Sequence, residues 1–319
     1  MMSTKRTVLA AALAAVFAPA VATAAPLTVY GKLNIEASFN DFDAASKADE
    51  AETEIRSNSS RVGIKGDLEL SQSVTAFYTI EYQVNTDDSD DNFKPRNQFV
   101  GLKGDFGAIS LGRQDTMLKK SQGKVDIFSD YAGDLKNYGL KGDNRGTETL
   151  SYLTPKVGLF SAGITYLAEG ADKQMGADDK LTDGFSIAAM YGDAKYKKAN
   201  YYAALAYDSD VAGLDSIVRA TVGTKVAGVT LGALYQQQEQ FAADSKDGFL
   251  VSAAYGMDAL TLKLQYTDLE DTADGFSVGA DYQLAKATKV FGYFTDRSYN
   301  KSENSKSGSF AGVGVEHKF

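Results

Sequence analysis

Apolar and polar residues alternate at every second position along this chain, and that rhythm restricts it to β-structure. From Val29 to Phe39, Val29, Leu33, Ile35, Ala37 and Phe39 occupy one parity, while Tyr30, Lys32, Asn34, Glu36 and Ser38 occupy the other. Successive side chains of a strand point to opposite sides, so this is a strand with one apolar and one polar face. Val74, Ala76, Tyr78, Ile80, Tyr82 and Val84 repeat the pattern, as do Leu260, Leu262, Leu264 and Tyr266. No stretch of comparable strength has helical period. After residue 25 there is also no run of about 20 apolar residues, the length a helix needs to cross a bilayer. The mean hydropathy of −0.26 resembles that of a water-soluble protein. Strands that face lipid on one side and water on the other give the same average.

The first residues stand apart. Lys5 and Arg6 precede an apolar, Ala-rich run from Val8 to Val21, and Ala22-Thr23-Ala24 supplies small residues at cleavage spacing. This predicts an export signal over 1–24, cut after Ala24 or Ala25, and one β-barrel domain over 25–319.

Sixteen strands are predicted, beginning near residues 27, 56, 73, 97, 106, 146, 157, 183, 199, 215, 226, 247, 258, 274, 288 and 308. Short turns are expected at Ser71, Gly104, Pro155, Lys195, Lys225, Met257 and Ala287. Between them come long polar loops at 40–55, 86–95, 114–145, 169–182, 208–214, 237–246, 268–273 and 298–307. Tight turns at one end and long loops at the other describe an all-β, antiparallel up-and-down transmembrane barrel. Such a barrel must close, because an open edge in lipid leaves backbone groups unpaired. At about sixteen strands its lumen is too wide for side chains to fill, so it holds water. A water-soluble sandwich would also alternate, but export and the 18 Tyr and 17 Phe favour a membrane barrel with interfacial aromatic girdles. The longest connection, 114–145, mixes charge with Ile127, Phe128, Tyr131 and Leu135. A loop of that length is functional or disordered, and its apolar residues favour an ordered loop folded against the lumen wall.

Composition narrows the chemistry. The net charge of −9, more negative still without Lys5 and Arg6, argues against nucleic acid as a partner. The absence of Cys removes disulfides, thiolate metal sites and cysteine nucleophiles. The single histidine, His317, shares parity with Val313 and Val315, which points it at lipid near an interface. One histidine cannot build an imidazole metal site, and one that faces lipid does not serve as the base of a hydrolase, so no enzyme, no cofactor and no metal are expected. The run Asp87-Asp88-Ser89-Asp90-Asp91 lacks the glycine and terminal glutamate of an EF-hand loop, and reads as a solvated loop or a divalent bridge to lipopolysaccharide.

Five segments, in order, resemble the Gram-negative general porin family. They are Leu27 to Leu33; Ser60-Arg61-Val62-Gly63-Ile64-Lys65-Gly66; Phe99 to Gly107 followed by Ile109 to Gln114; Arg145 seven residues before Tyr152, with Pro155 and Gly158 beyond; and the terminal Phe319. The resemblance covers nearly all of the chain after the leader. It implies a homotrimer in the outer membrane, with lipid and lipopolysaccharide around it and the assembly machinery engaging Phe319. It also implies a third loop folded into the lumen against an arginine cluster. Carried over by position, that basic wall is Arg61, Arg113 and Arg145, with Lys65 on the face of Arg61. Parity turns Arg61 into the lumen, opposite Val62 and Ile64, and groups Arg145 with Thr147, Thr149 and Ser151. Arg113 shares parity with Ile109 and Leu111, so it reaches the pore only where the strand ends or bulges near Gly112. Asp126, Asp130 and Asp134 recur every four residues, one face of a short helix, which either confronts the arginines or is simply solvated.

The implied function is a water-filled channel for passive diffusion of ions and small hydrophilic solutes. The alternatives are a substrate-specific channel for a sugar or an anion, which the Tyr196, Tyr201, Tyr202 and Tyr207 cluster raises, and a non-conducting structural barrel. The purified chain is expected to need detergent to stay monodisperse and to make vesicles leaky. Solubility in plain buffer together with sealed vesicles would contradict the reading of the two-residue rhythm.

Overall fold

The computed structural model describes residues 27–43, 52–87, 92–171, 181–241, 243–300 and 307–319. The expected leader and residues 88–91 of the acidic run lie outside the described residues. The strands are β1 (Thr28–Phe42), β2 (Thr53–Ser57), β3 (Arg61–Glu69), β4 (Val74–Val84), β5 (Phe93–Gly104), β6 (Gly107–Asp115), β7 (Arg145–Leu153), β8 (Phe160–Leu167), β9 (Gly184–Gly192), β10 (Tyr201–Val211), β11 (Leu214–Val226), β12 (Val229–Glu239), β13 (Lys246–Met257), β14 (Leu260–Leu269), β15 (Ala273–Ala285), β16 (Thr288–Tyr299) and β17 (Gly308–Lys318).

Every neighbour is antiparallel, and β17 returns to pair with β1 from Lys318 opposite Lys32 to Gly308 opposite Phe42. The last residue completes the seam: Gly31 N–H donates to the Phe319 carbonyl at 3.0 Å, and Phe319 N–H donates back at 3.2 Å. β2 and β3 are two halves of one wall strand. Both pair with β1, through Ile35–Phe39 and Thr28–Lys32 respectively, and they are separated by a kink at Asn58–Ser60 where Ser59 takes φ 52°. The barrel therefore has sixteen strands, as expected.

Its polarity is the reverse of a globular protein's. In β1 Val29 is 57% exposed while Glu36 is 1% exposed. In β11 Val218 and Val222 lie outside while Arg219 and Thr221 are buried. Apolar side chains face outward to lipid, and polar ones point into the lumen. The outward aromatic positions form rims, among them Tyr207, Tyr235, Phe249, Tyr266, Phe276 and Phe294.

Two loops expected to be long are not. The segment 208–214 is strand up to a two-residue turn, with Val211 opposite Leu214 and Ala212 and Gly213 at φ 57° and 78°. Two successive positive φ values match the right-handed twist of the flanking strands. Likewise β14 and β15 run to Leu269 and from Ala273, leaving three residues between them. Polar residues there mark strands that project past the lipid, where one face no longer has to be apolar.

Leu264, 52% exposed in the middle of β14, is a direct probe of the lipid face. Leu264→Arg is expected to lower stability by about 2–4 kcal/mol, the cost of a cation at mid-bilayer. Urea unfolding in lipid vesicles measures it, and an unchanged midpoint would put Leu264 outside the hydrocarbon.

Candidate functional site

The segment between β6 and β7 turns back against inward-facing side chains of the wall. It opens with helix α1 (Met117–Ser121), whose N-cap Thr116 accepts from Lys119 N–H, and it contains a 3-10 turn at Leu135–Tyr138. Its apolar residues meet wall residues in three clusters. Met117 and Leu118 pack with Ala188, Ala206, Leu214 and Ile217. Val125, Leu135, Tyr138 and Leu140 pack with Leu234, Leu250 and Leu269. Phe128 and Tyr131 pack with Phe291, Tyr293 and Phe310. Each fully buried Leu or Phe contributes roughly 1.5–3 kcal/mol.

Polar wall residues fix the loop backbone at intervals. The Ser186 hydroxyl accepts from Leu118 N–H at 2.9 Å, and the Tyr202 hydroxyl donates to the Ser121 carbonyl at 2.9 Å. Ser252 donates to the Val125 carbonyl at 2.5 Å, and Gln265 accepts from Ile127 N–H at 2.9 Å while donating to the Gly133 carbonyl at 2.9 Å. Gln238 binds Lys141 N–H and the Gly139 carbonyl, and Arg297 reaches the Ala132 carbonyl at 3.2 Å. The loop is thus laid along β9 to β17.

Beyond its middle the loop meets β1 and the kink. Asp130, at φ 74°, accepts from the Ser59 hydroxyl at 2.8 Å. Its other oxygen lies 3.5 Å from Lys32 Nζ and 3.8 Å from Arg61 Nη2. Burial opposes ionisation of Asp130, but Lys32, the Ser59 hydroxyl and Arg61 hold its carboxyl below the usual range. Next to Arg61, Arg96 Nε binds Glu81 at 2.7 Å, and Tyr30 donates to the same carboxylate at 3.1 Å. Arg145 Nη2 pairs with Asp115 at 2.8 Å, and Lys119 pairs with Asp143 at 2.6 Å. Lys120 and Lys124 are exposed on the loop, with no carboxylate in ion-pair range among the described residues.

The predicted residues separate. Arg61, Arg145 and Asp130 stand together with Arg96 and Lys32, which the sequence reading did not single out. Lys32 was legible on the polar parity of β1, whereas Arg96 sits at a register shift that parity does not reveal. Lys65 lies deeper, its Nζ 5.1 Å from the Tyr30 ring centre. A register shift does occur between Gly112 and Gln114, but its extra residue lies on β7, and Gln114 keeps the inward parity of Ser110, bonded to Ser110 and Thr149. Arg113 stays in register with Gln98. Asp126 and Asp134 lie on no common helix face and do not meet the arginines. Asp126 accepts from Phe128 N–H, Leu135 N–H and Gln265, and Asp134 accepts from Asp130 N–H and Lys136 N–H. Both shape the loop. Burial, reinforced by Asp134, pushes Asp126 up to about 8. The tyrosine cluster disperses: Tyr201 and Tyr207 face outward, Tyr202 holds Ser121, and Tyr196 lies in the β9–β10 turn. His317 lies exposed beside Thr288. Asp87 accepts from Ser57 N–H, and no group of three metal-binding side chains occurs among the described residues.

A closed sixteen-strand barrel with an apolar exterior and a charged lumen narrowed by a fixed loop defines a wide, water-filled transmembrane channel. The chain belongs to the Gram-negative porin family, whose sequence profile matches residues 10–302. It is 25% identical to the major outer membrane protein P.IB of Neisseria meningitidis serogroup B, covering 99% of this chain and 100% of that protein. Its fold is similar to that of an anion-selective porin from Comamonas acidovorans, with TM-score 0.76, 22% identity and coverage of 92% and 100%. It is also similar to Salmonella typhi OmpF in complex with daunomycin, with TM-score 0.75, 18% identity and coverage of 93% and 98%. The protein is a porin of the outer membrane.

The buried Asp126 gives the loop a pH dependence. Its value in the fold lies above that of a free side chain, so its contribution is complete below about pH 4 and is lost as pH rises through about 8. Open-channel current noise is expected to grow between pH 7 and 9 and to lose that dependence in Asp126→Asn. A flat wild-type profile would place the proton elsewhere.

Proposed function

We propose that the narrowest part of the channel lies between the free edge of the loop and the wall bearing Arg61, Arg96 and Arg145, and that it prefers anions. The observation that carries this reading is the pairing of charges. Asp130, Glu81 and Asp115 are each engaged by cations, Asp126 and Asp134 are spent on the loop backbone, and Lys120 and Lys124 have no carboxylate in ion-pair range among the described residues. Fixed cations lining a narrow, partly dehydrated gap concentrate anions and repel cations. The Comamonas acidovorans porin is described as anion-selective, in keeping with this reading.

Solutes diffuse down their gradients, and no residue carries out a reaction. The only histidine lies at the rim against Thr288, away from any nucleophile in the lumen, which supports a non-enzymatic role. The signal over 1–24, the barrel domain over 25–319, assembly as a homotrimer, recognition of Phe319 by the assembly machinery and contact with lipopolysaccharide complete the proposal. Swelling of liposomes in neutral sugars of graded size tests the breadth of passage. Graded entry is expected, and one preferred sugar would indicate a specific channel.

Reversal potential in a salt gradient tests the charge argument. Wild type is expected to favour chloride. Arg61→Ala should raise conductance and lower anion preference, and Lys124→Glu should lower that preference further. Cation preference in the wild type would refute the assignment, and an unchanged Arg61→Ala would remove Arg61 from the constriction.

A further inference from the structure

We infer that Arg219 is the positioning residue that clamps both stems of the lumen loop to the wall and so sets the permanence of the pore's cross-section. Arg219 projects inward from β11 and is 0% exposed. Its Nη1 donates to the Gln122 side chain at 3.0 Å, on the stem leaving α1. Its Nη2 donates to the Lys141 carbonyl at 2.6 Å, on the stem returning to β7. Its Nε donates to Gln236 on β12 at 2.7 Å, and Gln236 itself donates to the same Lys141 carbonyl at 3.1 Å. One planar guanidinium therefore joins two loop segments nineteen positions apart in sequence to two adjacent strands. A fork of rigidly spaced donors can do this, and a single flexible ammonium cannot.

A second feature points the same way. Gly142, next to Lys141, takes φ +97°, and a Cβ there would lie 2.9 Å from Arg219 Nη2 and 2.5 Å from Leu118. The returning stem thus lies against the guanidinium only because this residue is glycine.

The inference rests on the loop lining the pore but not on the sign of its selectivity, so two measurements separate the two ideas. Noise in single-channel current reports motion of the loop, and reversal potential reports its charge. Arg219→Lys keeps the charge and loses the fork, and should raise open-channel noise several-fold with little change in reversal potential. Gln122→Ala releases one stem and disturbs no buried charge, and should give an intermediate rise. Gly142→Ala should resemble Arg219→Lys. Heat-induced unfolding of the barrel in detergent should stay close to wild type in Gln122→Ala. If Arg219→Lys fails to fold, Gln122→Ala and Gly142→Ala decide. Channels as quiet as wild type in those two variants would overturn the clamp. A noise rise accompanied by an equal loss of barrel stability in Gln122→Ala would also overturn it, in favour of a general structural role.

Discussion

A backbone in hydrocarbon has no water to satisfy its N–H and C=O groups, and each group left unpaired costs several kcal/mol. For a chain built of strands the only complete solution is closure, achieved here by the β1–β17 ladder and the reciprocal bonds between Gly31 and Phe319. Closure at sixteen strands then imposes a second condition. The cylinder is too wide for wall side chains to meet at its axis, so the barrel cannot build a core of the usual kind.

The lumen loop answers that condition. Among the described residues, three of the four buried apolar clusters combine loop residues with wall residues, so much of what serves as a core lies between the two. A loop held this way gains its order from the wall and lends the wall an interior. The glutamines of β12 and β14 illustrate the exchange. Gln238 and Gln265 each present both a donor and an acceptor to the loop backbone, replacing the water that a loop in solution would bind.

Much of this was legible in the sequence because side-chain direction in a strand repeats with period two. Sixteen strands, their order, the inward direction of Arg61 and the outward direction of His317 all follow from parity and agree with the fold. Parity fails where register slips. Arg96 lies at such a shift, opposite the step from Ile80 to Tyr82 on the neighbouring strand. It fails again past the lipid, where strands need no apolar face, so the ends of β10 and β14 resembled loops. In the lumen loop there is no periodicity to read. The four-residue spacing of Asp126, Asp130 and Asp134 suggested one acidic face, but the backbone there is irregular and sends the three carboxylates in different directions.

That divergence governs the electrostatics of the channel. A carboxylate exerts its full field on a passing ion only if it is charged and uncompensated. Asp126 is buried and raised toward neutrality, Asp134 is neutralised by Lys136 and backbone donors, and Asp130 is shared between Lys32 and Arg61. The loop therefore spends its acids on its own conformation and on docking to the kinked strand. Lys120 and Lys124 lie exposed on the same loop, with no carboxylate in ion-pair range among the described residues. The proposed anion preference is thus compatible with a net charge of −9, because selectivity depends on which charges remain unpaired at the narrowest point and not on the sum over the molecule.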